Sequence, residues 1–237
     1  MIIKVLWVFL RLLLFIGEWF YTQVVRNQEK ETIEKSIQQM KKEDKYMKDW
    51  MKLLDPEEVK FQLISSSFYI TAYDILIETI VQKLKNFYMS GFDENGMIID
   101  PNYKIQVRNL NKKDIVIASS LWLKNHEAIT EEEVEKIKLF KEHRNELAHE
   151  LSEMIGDSGK RTKIELIKEI RDLRFKILKW WFIYFEMGIN PELSKLNPEE
   201  LDFDEVLSLN MFVINYLVNI LDDEVKKKEK KTTHNKR

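Results

Sequence analysis

The chain has 237 residues, of which 44% are hydrophobic and 33% charged, with a formal net charge of −2 and no cysteine. This length is enough to bury a sizeable core, and the missing cysteines exclude a disulfide framework, a thiolate metal site and a cysteine nucleophile, while the net charge argues against a protein coated on nucleic acid. With six glycines and four prolines, helix breakers are scarce, so the composition predicts an all-α helical bundle.

The predicted fold begins with a long N-terminal helical extension, residues 1–54. Its first 25 residues are the most apolar stretch of the chain, and Lys4, Arg11 and Glu18 lie seven positions apart, so they form one polar line along a helix. Three arrangements are open for residues 1–25: burial against the rest of the chain or a partner, which we favour, association with a membrane surface, or a membrane span. In a membrane span, the charge of Arg11 near the middle of the helix would raise the free energy of insertion by roughly 2.5–3.5 kcal/mol. We expect a cytoplasmic protein, with membrane contact through this helix as the alternative.

The second half of the extension predicts an amphipathic stalk. Between Arg26 and Leu54 the sequence turns polar, and apolar residues recur at helical spacing. They are Ile33, Ile37, Met40, Met47 and Trp50. The extension ends where Asp55, a residue suited to an N-cap, precedes Pro56 at the first position of the next helix.

Residues 55–225 contain four long predicted helices joined by short connections, which is typical of a helical bundle. The first of these helices continues to Gly91. A surface excursion follows, with the turn signal Asn95-Gly96. The pair Asp100 and Pro101 then starts a short helix.

The middle of the bundle carries two further helix starts. Either Asn111 or Asp114 opens the helix with the sequence IVIASSLWLKN. Thr130 and Glu133 are spaced as a capping box, in which each side chain accepts a hydrogen bond from the backbone of the other. The helix that this box opens ends at Gly156.

Two more long helices complete the bundle, one closed by Gly188 and one that ends at Val225. The last segment, residues 226–237, has seven Lys or Arg and one Glu, a net charge of +6. We expect a basic, disordered tail here, and the alternative is an electrostatic arm for phosphates or anionic lipid.

One stretch of the chain suggests a specific chemistry. The sequence KEHRNELAHEL, residues 141–151, carries Arg144, Asn145 and His149 among apolar residues. Histidine exchanges protons near neutral pH, and the arginine fork matches phosphate oxygens. Asn145 can hydrogen-bond both His149 and a phosphate.

Helical geometry separates the three side chains of this motif. Asn145 and His149 are four positions apart and share a face, whereas Arg144 and His149 are five apart, about 140° around an ideal helix. Divergence of this kind is awkward for a site within one chain and natural at a seam between two protomers. The spacing therefore predicts a homodimer.

Other interpretations of the same region are less specific. Arg144 can pair with nearby acids, and Asn145 with His149 can form a buried hydrogen-bonded pair that holds helices together. His143 and His149 are six positions apart, which does not suit a zinc site on one helix face. We expect the remaining motif-like features to be structural, namely a solvated acidic stripe of Glu142, Glu146 and Glu150 and an aromatic packing block of Trp180, Trp181, Phe182, Tyr184 and Phe185.

The triplet Arg144, Asn145 and His149, in the form R-N-x-x-x-H, resembles the signature of the HEPN superfamily (higher eukaryotes and prokaryotes nucleotide-binding domains), and the helix order over roughly residues 60–156 is similar to bacterial members. The resemblance implies a metal-independent endoribonuclease, a toxin or an effector of antiviral defence, with no cofactor and with a composite site at a homodimer seam. Arg144 and His149 then carry the catalytic roles, and Asn145 a supporting polar role.

The resemblance also implies partners. They are RNA, a second copy of the chain, and an antitoxin or activating partner. The alternative function is a noncatalytic HEPN-like module that binds RNA, a nucleotide or a protein, held at a membrane by residues 1–25.

Overall fold

The computed structural model describes residues 30–48, 50–51, 54–94, 96–156 and 162–234, with the backbone alone at 150–156, 229 and 231–234. The chain divides into two units between Leu54 and Asp55. The predicted apolar helix of residues 1–25, with its burial and membrane alternatives, lies outside the described residues.

The first unit contains helix α1, residues 30–48. Its apolar residues recur at helical spacing, as the sequence predicts, and their side chains are exposed to solvent. The exposed fractions range from 41% at Ile37 to 62% at Met47. The polar residues of this helix pair locally, for example Lys35 with Glu31 one turn before it, at 2.7 Å.

The second unit begins with helix α2, Pro56–Ile77. As predicted, Asp55 is its N-cap, and the carboxylate accepts a hydrogen bond from the backbone of Glu57 at 3.0 Å. The helix continues through a π-helical turn, Glu78–Gln82, into α3, Lys83–Phe87. The prediction that it reaches Gly91 is wrong, because the chain becomes extended from Met89.

The predicted surface excursion is a β-hairpin. Strand β1, Met89–Asp93, pairs antiparallel with β2, Gly96–Ile99, and Gly96 has a φ of 111°, which only glycine adopts without strain. Asp100 then caps α4, Pro101–Gln106, as predicted, by accepting from the backbone of Asn102 at 2.7 Å. A 3₁₀ turn, Arg108–Leu110, follows.

Two predicted caps lie at the next helices. Asp114 is the N-cap of α5, Ile115–Asn125, and Asn111 caps the turn before it. The capping box also forms: Thr130 N–H donates to Glu133 at 2.7 Å, and Glu133 N–H donates to the Thr130 hydroxyl at 3.3 Å. It opens α6, Glu131–Gly156, which carries the motif.

The last third of the chain is helical apart from short connections. Its elements are α7 (Ile164–Trp181), a π-helical turn (Phe182–Glu186), α8 (Met187–Ile189), 3₁₀ turns (Leu193–Lys195 and Pro198–Glu200), α9 (Phe203–Val206) and α10 (Ser208–His234). Helix α10 therefore continues through most of the segment predicted to be a disordered tail. Lysine and glutamate are good helix formers, and lysine near a helix C-terminus interacts favourably with the helix dipole.

Helix α2 lies at the centre of the bundle, in contact with α6, α7 and α10. Tyr69, Leu76 and Ile80 on this helix and its π-helical turn are fully buried. The structure confirms the predicted all-α helical bundle. Of the predicted N-terminal extension, it describes the helix over residues 30–48. By length and composition alone, the continuous helix Pro56–Phe87 is also long and apolar enough to cross a membrane, a property that buried core helices of soluble proteins share.

The aromatic block near the end of α7 belongs largely to the core. Trp181 and Phe182 are buried, and the Trp181 ring stacks on Trp122 of α5 with centroids 6.0 Å apart. Tyr184 is 66% exposed. The predicted packing role therefore holds for the buried members of the block.

Candidate functional site

Helix α6 carries the motif residues on different faces. Phe140, His143 and Leu147 recur at helical spacing and are buried against the bundle, with exposed fractions of at most 2%. Asn145 and His149 are exposed, and Arg144 is half-buried. The motif thus lies on the outer surface of a helix whose inner face anchors it in the core.

Asn145 and His149 lie together, as their spacing predicts. They line a shallow surface depression with Glu142 and Glu146. Both exposed side chains are available to a ligand, and no hydrogen bond joins them within the described part of the chain. The predicted alternative of a buried Asn145–His149 pair is wrong, because both side chains face solvent.

Arg144 faces a different part of the bundle. Burial and the nearby charge of Asp114 raise the pKa of Tyr73, on α2, to about 12, and the positive charge of Arg144 acts in the opposite direction. Among the residues whose side chains the structure describes, none forms an ion pair with Arg144, so the alternative of local pairing with an acid finds no partner among them.

The buried polar role on α6 belongs to His143. Its Nδ1 lies 3.1 Å from Oε2 of Glu146, and its Nε2 accepts a hydrogen bond from the backbone N–H of Lys163 at 3.1 Å. The ring packs edge-on against Tyr69 of α2, with centroids 4.7 Å apart. Because Nε2 is an acceptor here, Nδ1 carries the proton and donates to Glu146.

His143 is held in its neutral form. Burial lowers its pKa, which outweighs the raising effect of the hydrogen bond to Glu146, and the charge of Lys163 lowers the pKa further. The neutral ring connects three elements: the middle of α6, the central helix α2, and the segment that enters α7. It therefore fixes the position of the motif relative to the rest of the bundle.

Sequence reasoning missed the role of His143, although a signal for it was present. His143 follows Phe140 by three positions and precedes Leu147 by four, which places it on the apolar face of α6. Glu146 was expected in a solvated stripe. Instead, one carboxylate oxygen of Glu146 accepts a hydrogen bond from His143, while the side chain remains 55% exposed.

The next question is whether the described side chains near the motif could hold a metal ion. In the described part of the chain, no group of three or more His, Asp and Glu side chains is arranged to hold a metal ion. His143 and His149 lie on different faces of α6, one buried and one exposed.

Comparison with protein-family models, with curated proteins and with solved structures finds no match for the chain. The surface itself presents an exposed Asn145–His149 pair beside the carboxylates of Glu142 and Glu146.

Proposed function

We propose that the chain is a metal-independent endoribonuclease of HEPN type, with a composite active site formed by two copies of α6. Arg144 and His149 are its catalytic residues, and Asn145 supports them. RNA is the substrate. The enzyme acts in the cytoplasm as a toxin or antiviral-defence effector, under the control of an antitoxin or activating partner.

The divergence of Arg144 from His149 is the observation that supports this proposal best. The depression beside His149 is lined by Glu142 and Glu146, and among the residues that the structure describes its lining includes no cationic side chain besides the histidine itself. A phosphodiester bound there needs positive charge to offset these carboxylates. Arg144 of the same chain is half-buried and lies five positions before the exposed His149, about 140° around the helix. A second copy facing the first supplies an arginine from outside.

The chemistry follows from these side chains. A neutral His149 takes the proton from the ribose 2′-hydroxyl as its oxygen attacks phosphorus. The bond to the 5′-oxygen breaks, and the imidazolium that has formed on His149 returns the proton to that oxygen. Arg144 stabilises the charge on the phosphorane oxygens with its fork of N–H donors. The products are a 2′,3′-cyclic phosphate and a 5′-hydroxyl.

Cleavage of a mixed RNA pool in EDTA tests the activity. We expect cyclic phosphate ends from the wild-type protein, and at least about 100-fold less cleavage by Arg144→Ala or His149→Ala. Lys138→Ala, on the same helix, removes one positive charge outside the motif and serves as the matched control. Equal cleavage by the motif variants and the control contradicts the proposal.

Mixing the two inactive variants tests the composite site. Across the seam, each Arg144 pairs with the His149 of the facing copy, so in a mixed dimer of Arg144→Ala and His149→Ala one of these two pairings keeps both residues. Random exchange of protomers therefore restores about a quarter of the wild-type activity if each site draws on both copies. A site contained within one chain regains nothing on mixing.

A second candidate is a noncatalytic module that binds RNA, a nucleotide or a protein, held at a membrane through residues 1–25. The carboxylates of Glu142 and Glu146 beside Asn145 favour it, because they repel phosphate in a single copy. This candidate predicts that the wild-type protein does not cleave RNA under any condition. It also predicts that Asn145→Ala weakens the binding of a ligand.

A further inference from the structure

The surface depression on α6 contains two carboxylates, although negative charge repels a phosphodiester. Its described lining consists of Glu142, Asn145, Glu146 and His149, and its volume of about 380 Å³ is larger than that of one nucleobase. A nucleotide also carries a second kind of polar surface, the edge of its base, where N–H groups donate hydrogen bonds. Carboxylates at an RNA site are suited to that edge, because they accept from base N–H groups.

Helical geometry places these four side chains on one face of α6. On an ideal helix they lie within an arc of about 100°. Asn145 and Glu146 occupy the middle of the depression along the helix axis, with Glu142 about one turn before them and His149 about one turn after. A base held by Asn145 and Glu146 therefore lies next to the histidine that the proposed function makes catalytic.

Glu146 is the carboxylate that the core holds in position. The buried His143, which is 2% exposed, donates from Nδ1 to Oε2 of Glu146 at 3.1 Å, and the backbone N–H of Lys163 holds the other ring nitrogen at 3.1 Å. A side chain that is already positioned loses less conformational entropy when a ligand binds. Each carboxylate oxygen has more than one lone pair, so Glu146 keeps the capacity to accept further hydrogen bonds.

The pair Glu146 and Asn145 has a hydrogen-bonding pattern that matches one base. An ionised glutamate presents two acceptor oxygens side by side, and the asparagine side chain presents N–H donors. Guanine has two adjacent donors, N1–H and N2–H, beside the acceptor O6 on its Watson–Crick edge. Adenine and cytosine have an acceptor next to their amino group, and uracil has one donor between two acceptors. Two neighbouring carboxylate oxygens therefore fit guanine and meet an acceptor on each of the other bases.

We propose that the depression binds a guanine base of the RNA, with the Glu146 carboxylate accepting from N1–H and N2–H and the Asn145 amide donating to O6. His143 is a positioning residue, because it contacts Glu146 and not the base. The proposal rests on the proposed function for the RNA at this site, and it adds which nucleotide is recognised. The carboxylate then faces the base, and the arginine of the facing copy faces the phosphate.

Binding of RNA that cannot be cleaved tests the guanine site without relying on catalysis. The probes are fluorescein-labelled oligonucleotides with 2′-O-methyl riboses and the sequences UUGUU, UUIUU and UUAUU, where I is inosine. Inosine lacks the N2 amino group but keeps N1–H and O6. We expect the full-length protein to bind the guanosine probe at least about 10-fold more tightly than the inosine probe, and the adenosine probe more weakly still. Fluorescence anisotropy measures the three affinities, and equal values overturn the proposal.

Two variants separate the roles of the side chains. Glu146→Gln replaces one acceptor by a donor, so the guanosine and inosine probes are expected to bind within about twofold of each other. The glutamine can still accept from His143, so the contact with the core is kept. Asn145→Ala is expected to weaken binding of both probes equally, because both bases keep O6.

Glu135→Gln is the matched control. It removes the same charge from an exposed position of α6 that lies outside the depression, and it is expected to keep the preference for guanosine. A preference that survives in Glu146→Gln overturns the proposal. A preference that is lost in Glu142→Gln and kept in Glu146→Gln likewise overturns the assignment of the base to Glu146.

Failure of the guanine site and failure of the proposed function give different results. A protein that binds the guanosine probe selectively and cleaves no RNA contradicts the endoribonuclease and supports the guanine site. A protein that cleaves the RNA pool next to all four bases and binds the three probes equally supports the endoribonuclease and overturns the guanine site.

Discussion

His143 and His149 are six positions apart on one helix and have opposite environments. His143 is buried, neutral and hydrogen-bonded on both ring nitrogens. His149 is exposed beside Asn145. Residue type alone does not separate a structural histidine from a candidate catalytic one. The neighbours of each side chain distinguish the two roles, and the neighbours of the buried His143 come from α2 and the start of α7.

Substitution separates the roles of the two histidines. His143→Ala leaves the backbone N–H of Lys163 without its acceptor, and we expect a loss of about 1–3 kcal/mol in the free energy of unfolding. His149→Ala, at an exposed position, changes it by less than about 0.5 kcal/mol. Urea denaturation at pH 7.5 measures both. A larger loss for His149→Ala contradicts the assignment.

The lowered pKa of His143 also predicts a pH dependence of stability. The unfolded chain takes up a proton on this histidine near its ordinary pKa of about 6.5, whereas the folded chain resists protonation there. The contribution of His143 is therefore complete above that pH and is lost as the pH falls below it. We expect the free energy of unfolding to fall more between pH 7.5 and 5.5 in the wild type than in His143→Gln. Parallel curves for the two proteins contradict this expectation.

The capping box shows why some helix boundaries were predictable. Thr130 and Glu133 bond to each other's backbone within one turn, so their positions in the sequence are sufficient to predict the helix start. Glu133 has a second role that sequence did not reveal. Its carboxylate also accepts from Lys176 of α7, at 2.7 and 2.9 Å, and so connects the start of α6 to a neighbouring helix.

The double role of Glu133 predicts graded losses of stability. Thr130→Ala removes half of the capping box, and we expect a loss of about 1 kcal/mol in the free energy of unfolding. Glu133→Ala removes the cap and the contact with Lys176, and it is expected to cost more. Glu132→Ala, in the same first turn and exposed, is the control for lost acidic charge. Equal thermal denaturation midpoints for the three variants contradict this order.

Other elements were missed because their conformation depends on weak local preferences. The hairpin strands Met89–Asp93 and Gly96–Ile99 are short, and a hairpin of this size is marginal without support from the rest of the protein. The two π-helical turns have no sequence signature, since each is a one-residue widening of a helix that the pattern already predicts. The end of α10 consists of charged helix formers, whose composition suits both a helix and a disordered tail.

The division of the chain at Leu54 predicts that the bundle folds by itself. The core of the second unit consists of residues between Tyr69 and Leu221, which is the hydrophobic core that a domain requires. We expect residues 55–237, produced without residues 1–54, to unfold in a single cooperative transition. A fragment without a cooperative transition contradicts the prediction. Calorimetry at equal protein concentration makes the comparison.

The amino-acid sequence was sufficient to predict the fold class and the capped starts of several helices. Apolar spacing and caps such as Asp55 and Thr130 act over a few residues, so they can be recognised without the tertiary structure. The partner of each motif side chain required the tertiary structure. Lys163 meets His143 across 20 positions, and Tyr69 meets it across the bundle. Likewise, sequence shows that α10 is apolar, but only packing on α2 and α7 determines which face remains open. Burial depends on neighbours from distant parts of the chain, and these are fixed only when the helices assemble.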